Sequence, residues 1–179
     1  MSHRWLPRMT GRVTLRQLRV EDLGDFQAYR TDPLVARFQG WNVTTDDEAR
    51  AFLEEMHASP LLLPGTWSQL GIADPASDRL IGDIGVRVAV DESEAELGIS
   101  LALPFQRQGL ALESLRAIIA LLSEHTRVPR IVARCDTRNG AALRLMGRLG
   151  FTPEGDEPVV VHGEECLDRV FVLPLACPR

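Results

Sequence analysis

The stretch between residues 96 and 135 constrains the fold of this chain more than any other. An apolar, strand-like segment ends near Leu103, and a helix follows after Pro104. The apolar residues of this helix recur at spacings of four, three and four, namely Ala111, Leu115, Ile118 and Leu122. Residues 130–135 then return to a strand pattern. A strand, a helix and a strand in this order form a right-handed crossover between parallel strands of one sheet.

The rest of the chain supplies strands and helices that fit around this crossover. Apolar patterns and turn residues place these elements at residues 13–18, 20–37, 45–56, 66–72, 80–90, 96–103, 139–149, 159–161 and 166–175. Three of the strands, from residue 66 to residue 103, are joined by loops rich in residues that favour hairpin turns. This pattern predicts an antiparallel meander. The expected fold class is α/β (α+β). We expect one domain over residues 1–179, with its core at about 11–175, in which helices flank a mixed, mostly antiparallel sheet.

Two helices carry end signals in the sequence. Thr45 can cap a helix, and Glu48 stands three residues later, as a capping box requires. Gly150 is placed to end the helix that begins near Asn139, and Phe151 is expected to fold back on Met146.

The composition excludes several function classes. All 20 basic residues are arginine, so a lysine-dependent phosphate loop and lysine Schiff-base chemistry are ruled out. The net charge of −5 disfavours a general nucleic-acid partner. The three cysteines are far apart and the four histidines are never at ligand spacing, so we expect reduced thiols and no metal. No apolar run is long enough for a signal peptide or a membrane span, which predicts a cytoplasmic protein without a membrane partner.

The turn between the strand and the helix of the crossover carries the strongest functional signal. It reads Gln106-Arg107-Gln108-Gly109-Leu110-Ala111, so a glycine stands at the expected helix start. A helix start leaves backbone N–H groups unpaired, and the helix dipole adds about half a positive charge there. A diphosphate satisfies both if the backbone can approach it closely. An ordinary strand-to-helix turn shows the same pattern.

Two motifs in this order resemble those of the GNAT superfamily of acyl-CoA N-acyltransferases. The diphosphate loop of that family, Gln/Arg-x-x-Gly-x-Gly/Ala, is matched by Gln106, Gly109 and Ala111. Its later block, Asn-x-x-(Ala/Ser)-x-x-Leu-x-x-x-x-Gly-Phe, is matched by Asn139, Ala142, Leu145, Gly150 and Phe151. Within the family, the segments 14–18, 21–22 and 95–99 are most similar to the ribosomal-protein N-acetyltransferases of the RimJ/RimL-like subgroup.

This resemblance implies a site for acetyl-CoA. The strand that holds Leu101 and Leu103 is expected to splay from the strand at 131–135 and to pair its free backbone with the pantetheine amides. Asn139 is expected to cap the next helix and to reach the thioester end. The diphosphate is expected on the amides from Arg107 to Ala111, and three side chains of the loop add donors: Gln106, Arg107 and Gln108.

The implied reaction is direct attack of a primary amine on the thioester, without an acyl-enzyme. Glu96 is the candidate general base, acting directly or through water. A solvated carboxylate within the acidic run 91–96 is the alternative interpretation of Glu96. A backbone N–H between Ile99 and Leu101 is the candidate donor to the developing oxyanion.

The acceptor amine is expected to meet the loop between the first two helices. Trp41 in this loop is the candidate recognition platform, and Tyr29 on the first helix is a second candidate for lining the acceptor site. The acceptor itself is either a protein N-terminus or a small-molecule amine. A homodimer is common in the family and is expected here on that ground alone.

The sequence departs from the family at the general acid. Many relatives carry Tyr or Ser where this chain has Met146 and Ala142. A non-catalytic acyl-CoA-binding regulator on the same fold is therefore the alternative function. A serine or cysteine hydrolase is disfavoured, because the sequence contains no Gly-x-Ser-x-Gly.

Overall fold

A computed structural model describes residues 5–176 of the chain. Within this part, helices α1–α5 span Leu23–Arg30, Pro33–Ala36, Asp46–Ala58, Leu110–His125 and Gly140–Leu149. Strands β1–β8 span Arg8–Met9, Thr14–Gln17, Trp67–Ala73, Leu80–Val88, Ala95–Leu101, Arg130–Asp136, Thr152–Val161 and Glu164–Pro174. Two single turns of 3-10 helix lie at Val20–Asp22 and Leu103–Phe105. None of the helices in the described range is long and apolar enough to cross a membrane.

The eight strands form one sheet in the order β1-β2-β3-β4-β5-β6-β8-β7. Neighbouring strands are antiparallel except β5 and β6, which α4 connects and which run parallel. The predicted crossover and the predicted fold class, a mixed and mostly antiparallel sheet flanked by helices, are both confirmed.

The two faces of the sheet are covered by different helices. On one face, α4 packs its apolar stripe, which includes Ile118 and Leu122, against the strands, and α5 lies beside it. On the other face, α1 and α3 form a smaller core that includes Phe26 and Leu53. Both cores are built from side chains at helical spacing, as the periodicity of the sequence predicts.

The end signals read from the sequence are confirmed. Thr45 accepts a hydrogen bond from the Glu48 N–H, and Glu48 reaches back to the N–H of Thr45. Gly150 ends α5 with a φ of +86°, a conformation that favours glycine. The Phe151 N–H then donates to the Met146 carbonyl at 3.1 Å, which closes the helix end.

Three predicted boundaries are wrong, each for a local reason. The single helix expected at 20–37 is interrupted, because Pro33 starts a new helix and Asp32 caps it by accepting from the Leu34 N–H. Strand β5 ends at Leu101, since the chain turns into a 3-10 helix at Leu103. The closing hairpin of β7 and β8 is longer than its apolar residues suggested, because backbone pairing continues through polar positions.

Candidate functional site

Strands β5 and β6 separate at one end and leave a cleft between them. Their pairing covers Ala95 to Leu97 on β5, after which both strands continue without pairing to each other. Helices α4 and α5 begin at the same edge, just after the two strands end. The cleft, with a volume of about 90 Å³, lies between these four elements and the loop after α2. It lies where the resemblance to the family placed the splayed strands.

The backbone of β5 faces this cleft at alternate residues. Ala102 donates its N–H to Ile81 on β4. The N–H and C=O groups of successive residues in a strand point to opposite sides, so those of Ile99 and Leu101 face the cleft. Their carbonyls accept from two side-chain amides: Gln106 Nε2 lies 2.8 Å from the Leu101 oxygen, and Gln39 Nε2 lies 3.3 Å from the Ile99 oxygen. This edge can therefore pair with the amides of an extended ligand that displaces the two glutamines.

The expected role of Leu103 on this edge does not agree with its position. Leu103 lies beyond the end of β5, in the 3-10 turn, and its carbonyl already accepts from the Gln106 N–H at 3.1 Å. The edge available to a ligand is therefore formed by Ile99 and Leu101. Pro104 contributes to the difference, because proline has no N–H to continue strand pairing and its fixed φ suits the first turn of a helix.

The loop before α4 presents a run of unpaired backbone N–H groups. Within the described chain, no residue accepts a hydrogen bond from the N–H groups of residues 107–112. Arg107 and Gly109 both have positive φ, +60° and +81°, which bends the loop tightly at the helix start. Arg107 is exposed and has no ion-pair partner among the described residues. The combination of free amides, a helix start and a guanidinium suits an anion such as a diphosphate.

The N-terminal segment holds this loop in place. Glu113, in the first turn of α4, accepts from the Thr10 hydroxyl and from the N–H and guanidinium of Arg12. Arg12 Nη1 also donates to the Gln108 carbonyl at 2.8 Å. The hydrogen bond from Thr10 is the largest cause of the lowered pKa of Glu113, so this carboxylate is charged at neutral pH. These contacts fix the conformation that leaves the amides free.

The side chains of the two loop glutamines are already engaged. Gln106 bonds to Leu101, and Gln108 Nε2 donates to the Pro104 carbonyl at 2.6 Å. Gln108 therefore shapes the loop in this structure, and Arg107 is the loop side chain that remains free to contact an anion.

Asn139 lies where β6 leads into α5 and also lines the cleft. Its Oδ1 atom accepts from the Ala142 N–H at 3.1 Å, so the expected cap is present. No described residue accepts from its side-chain nitrogen, which leaves two N–H bonds available for a ligand. One side chain can thus serve both roles expected of it.

The described residues that line the cleft carry no hydroxyl group. Met146 and Ala142, the positions at which the family resemblance implies Tyr or Ser, lie in the cleft wall. Cys135 also lines the cleft, but burial, together with the nearby Asp168 charge, raises the pKa of its thiol to about 12. Such a thiol is too weak an acid to protonate a thiolate of ordinary basicity.

Glu96 lies on β5, one residue before the end of the pairing with β6. Its carboxylate forms an ion pair with Arg134 at 3.0 Å, and Arg134 also contacts Glu157 at 3.2 Å. Glu96 is half-buried on the face of the sheet opposite α4 and α5. Glu96 is not one of the residues that line the cleft, but its ion-pair partner Arg134 is. A carboxylate beside the cleft can accept a proton or a hydrogen bond from a ligand or a water molecule.

Tyr29 does not line an open surface in this structure, and its expected contact with an acceptor stays a prediction. It is 3% exposed, and its hydroxyl donates to Asp83, which is 1% exposed. Asp83 also accepts from Gln69 at 2.7 Å and from Arg30 at 3.2 Å. Burial and then the Asp83 charge raise the pKa of Tyr29 well above its usual value, so the phenol keeps its proton. Sequence periodicity put Tyr29 on a helix but could not show the buried carboxylate beneath it.

Trp41 is half-buried and packs on Arg30. The Arg30 guanidinium lies 4.2 Å from the centre of the Trp41 ring and 4.3 Å from that of Phe26. This cation–π stack holds the loop that carries Gln39 to the cleft. Trp41 thus anchors the loop in this structure, while its role toward an acceptor stays a prediction.

A further aromatic side chain lies on the face of the sheet opposite α4 and α5. Trp67, at the start of β3, is 44% exposed and packs beside Gly85 on β4. The sequence did not reveal the contacts of Trp67, Gln39 and Arg12, because these contacts depend on strand register and on residues far apart in the chain. No group of three or more His, Cys, Asp or Glu side chains in residues 5–176 is arranged to hold a metal ion.

Comparison with known proteins identifies the family. A profile of the acetyltransferase (GNAT) domain matches residues 12–152. The chain belongs to the GNAT acetyltransferase family. The family resemblance noted in the sequence is therefore confirmed, and the chain is an acetyltransferase of a family whose general reaction is acetyl transfer from acetyl-CoA.

Individual GNAT proteins match over nearly the whole chain. An uncharacterized N-acetyltransferase, p20, of Bacillus licheniformis is 28% identical over 148 residues, 82% of each chain. A GNAT-family acetyltransferase from Bacillus anthracis matches with a TM-score of 0.82 at 18% identity, over 93% of this chain and 96% of that one. The ribosomal-protein α-N-acetyltransferase RimL, in complex with coenzyme A, matches with a TM-score of 0.80 at 17% identity, over 94% and 97% of the two chains. At these identities, the structures show a shared fold.

Proposed function

We propose that this GNAT protein transfers the acetyl group of acetyl-CoA directly to a primary amine, with the cofactor bound in the cleft between β5 and β6. The observation that carries the proposal is the run of unpaired N–H groups at residues 107–112, next to the cleft-facing edge of Ile99 and Leu101. The amides from Arg107 to Ala111, including those of Gly109 and Leu110, would hold the diphosphate, and the Arg107 guanidinium would add a full charge.

The edge of β5 would hold the pantetheine part. Its amides would replace the two glutamine side chains that now cap the carbonyls of Ile99 and Leu101. The backbone N–H of Ile99 or of Leu101 would stabilise the negative charge that develops on the thioester oxygen. The fold of this segment favours such a ligand, because an unpaired strand edge buried in a cleft needs hydrogen-bond partners.

The acetyl group enters as the thioester of acetyl-CoA. The amine nitrogen forms a bond to the acetyl carbon, the carbon–sulfur bond breaks, and coenzyme A leaves. Glu96 would accept the proton that the amine loses, directly or through water. Asn139 would donate a hydrogen bond toward the leaving sulfur, which would take its proton from water because the described cleft residues supply no acidic hydroxyl.

Among primary amines, we favour a protein N-terminus as the acceptor. RimL, whose fold this chain shares, is named as an α-N-acetyltransferase of a ribosomal protein. An α-amine has an ordinary pKa of about 8, against about 10.4 for a lysine side chain. A single half-buried carboxylate such as Glu96 is therefore a sufficient base for an α-amine. A cytoplasmic location and a homodimer stay predictions from the sequence.

Mass spectrometry of acetyl transfer tests this function. The purified chain is incubated with acetyl-CoA and a panel of amines: peptides with free N-termini, the same peptides with blocked N-termini and a lysine, spermidine and an aminoglycoside. We expect acetylation of the free α-amines at rates well above those of the blocked peptides. Tight binding of acetyl-CoA with no transfer to any amine would contradict the proposal and favour the acyl-CoA-binding regulator.

A further inference from the structure

Gly98 lies at the point where β5 leaves β6, one residue after Leu97, the last residue of their pairing. A Cβ atom placed on Gly98 would have no heavy atom within 4 Å beyond its chain neighbours, and its φ is an ordinary one. Gly98 also lines the cleft. A glycine inside a strand is less stable than a residue with a side chain, and it often marks a close approach by a ligand. The space in front of Gly98 is thus open, at the edge of the cleft proposed to hold the thioester.

The space in front of Gly98 is flanked by an aromatic ring and a carboxylate, which are groups that attract an amine. Gly98 pairs with Gly85 on β4, and the space in front of Gly85 is filled by the Trp67 ring and by Gln69. The exposed part of Trp67 therefore forms a shelf beside the space left open at Gly98. Glu96, two residues before Gly98, projects from the same face of the strand.

The residues of β5 near Gly98 point alternately to the two faces of the sheet. Leu97 and Ile99 point toward α4 and α5, on whose side the diphosphate loop lies. Gly98 and Glu96 point the other way, toward Trp67. The separation of β5 from β6 is therefore a slot that connects the two faces, and Gly98 lies at its rim.

We infer that Gly98 determines acceptor specificity, because its missing side chain forms the port through which the amine reaches the thioester. The inference rests on the proposed function and deepens it. An aromatic shelf and a carboxylate favour a cationic amine, and a narrow port favours one at the end of an extended chain, such as a polypeptide N-terminus. The atoms of the first residue occupy the volume in front of Gly98.

Substitution at Gly98 tests the port, since the structure leaves room for the new side chain without disturbing the core. Gly98→Ala and Gly98→Val are compared with Gly155→Val, a change at another exposed strand glycine with open space, three strands away on β7. The probe is an alanine-initiated pentapeptide amide with a free N-terminus. We expect kcat/KM for the peptide to fall more than 10-fold in Gly98→Val and by less in Gly98→Ala. The Kd of acetyl-CoA should stay within twofold of the native value in all variants.

A second arm separates a steric port from a general loss of activity. Peptides that begin with glycine and with valine are compared on the native chain and on Gly98→Ala. If the methyl group of Gly98→Ala narrows the port, the valine-initiated peptide loses more of its kcat/KM in this variant than the glycine-initiated peptide does.

Two outcomes overturn the inference alone: unchanged kcat/KM in Gly98→Val, or equal losses for the two peptides. A native chain that acetylates none of the peptides would contradict the proposed function, and the inference with it.

Discussion

Replacing Gly109 with glutamate perturbs the proposed diphosphate site where the backbone must come closest to the ligand. Gly109 caps α4 with a φ of +81°, so an L-residue there costs about 1–2 kcal/mol of folding stability. This corresponds to a fall in Tm of about 2–8 °C for a chain of this size. A Cβ at Gly109 would also lie 3.3 Å from Arg12 Nη2, a side-chain atom that can shift slightly. The variant is therefore expected to fold.

The carboxylate added in Gly109→Glu mainly lowers the affinity for coenzyme A. Two like charges about 5 Å apart repel by about 3 kcal/mol at an effective dielectric constant of 20, which is a loss of about 100-fold in affinity. Calorimetric titration with coenzyme A at fixed salt measures this loss. Gly109→Ala has the same backbone strain without the charge, and we expect it to lose much less affinity.

Gly24→Glu provides the charge control. Gly24 lies in α1, on the opposite face of the sheet, and a side chain there meets open space. We expect this variant to bind coenzyme A as the native chain does. If folded Gly109→Glu binds coenzyme A within threefold of the native chain, the diphosphate does not rest on this loop.

Three further predictions concern single side chains. Glu96→Gln should lower kcat about 100-fold with little change in acetyl-CoA affinity, and raising the pH should recover part of the loss as the amine deprotonates; unchanged turnover would remove Glu96 from the mechanism. Cys135, whose pKa is raised to about 12, should react with iodoacetamide far more slowly at pH 7.5 than an ordinary thiol and faster as the pH rises, as peptide mapping can show; fast labelling at pH 7.5 would contradict its burial. Burial, and then the Asp136 charge, raise the pKa of Asp168, so this group favours folding below its ordinary pKa and loses that contribution as the pH rises through the raised value. Asp168→Asn should therefore raise Tm at pH 7 and leave it unchanged at pH 3, and an equal shift at both pH values would refute the assignment.

The sequence predicts those parts of the fold that depend on short-range chemistry. The capping box of Thr45 and Glu48 and the helix end at Gly150 involve neighbours in the chain, and both are present. The loop at Gly109 belongs to the same class, because a glycine before an apolar helical face is a local signal.

Features that depend on distant residues could not be predicted. Asp83 is one of two charged residues in the otherwise apolar strand β4, and its partners Tyr29 and Gln69 lie 54 and 14 residues away in the chain. Arg16 is buried in an ion pair with Asp22 at 2.7 Å, an arrangement that needs the folded sheet and the turn before α1 together. The space at Gly98 likewise results from strand register, which sequence patterns do not specify to one residue.

The absence of a general acid among the described cleft residues illustrates a different limit of prediction from sequence. The sequence shows that Met146 and Ala142 lack hydroxyls, and the structure adds that the other described cleft residues lack them too. Sequence patterns could not show this, since the lining of a cleft is assembled from five separate segments. We therefore expect the leaving thiolate to be stabilised by hydrogen bonds and protonated by water rather than by an acidic side chain.

Amide chemical shifts during a titration with coenzyme A test the central claim most directly. The claim is that unpaired N–H groups before α4 and the free edge of β5 hold the cofactor. With isotopically labelled protein, we predict the largest shift changes at residues 107–112 and at Ile99 and Leu101. Saturable binding with its largest changes elsewhere, for example on the hairpin of β7 and β8, and none at the loop would contradict the account.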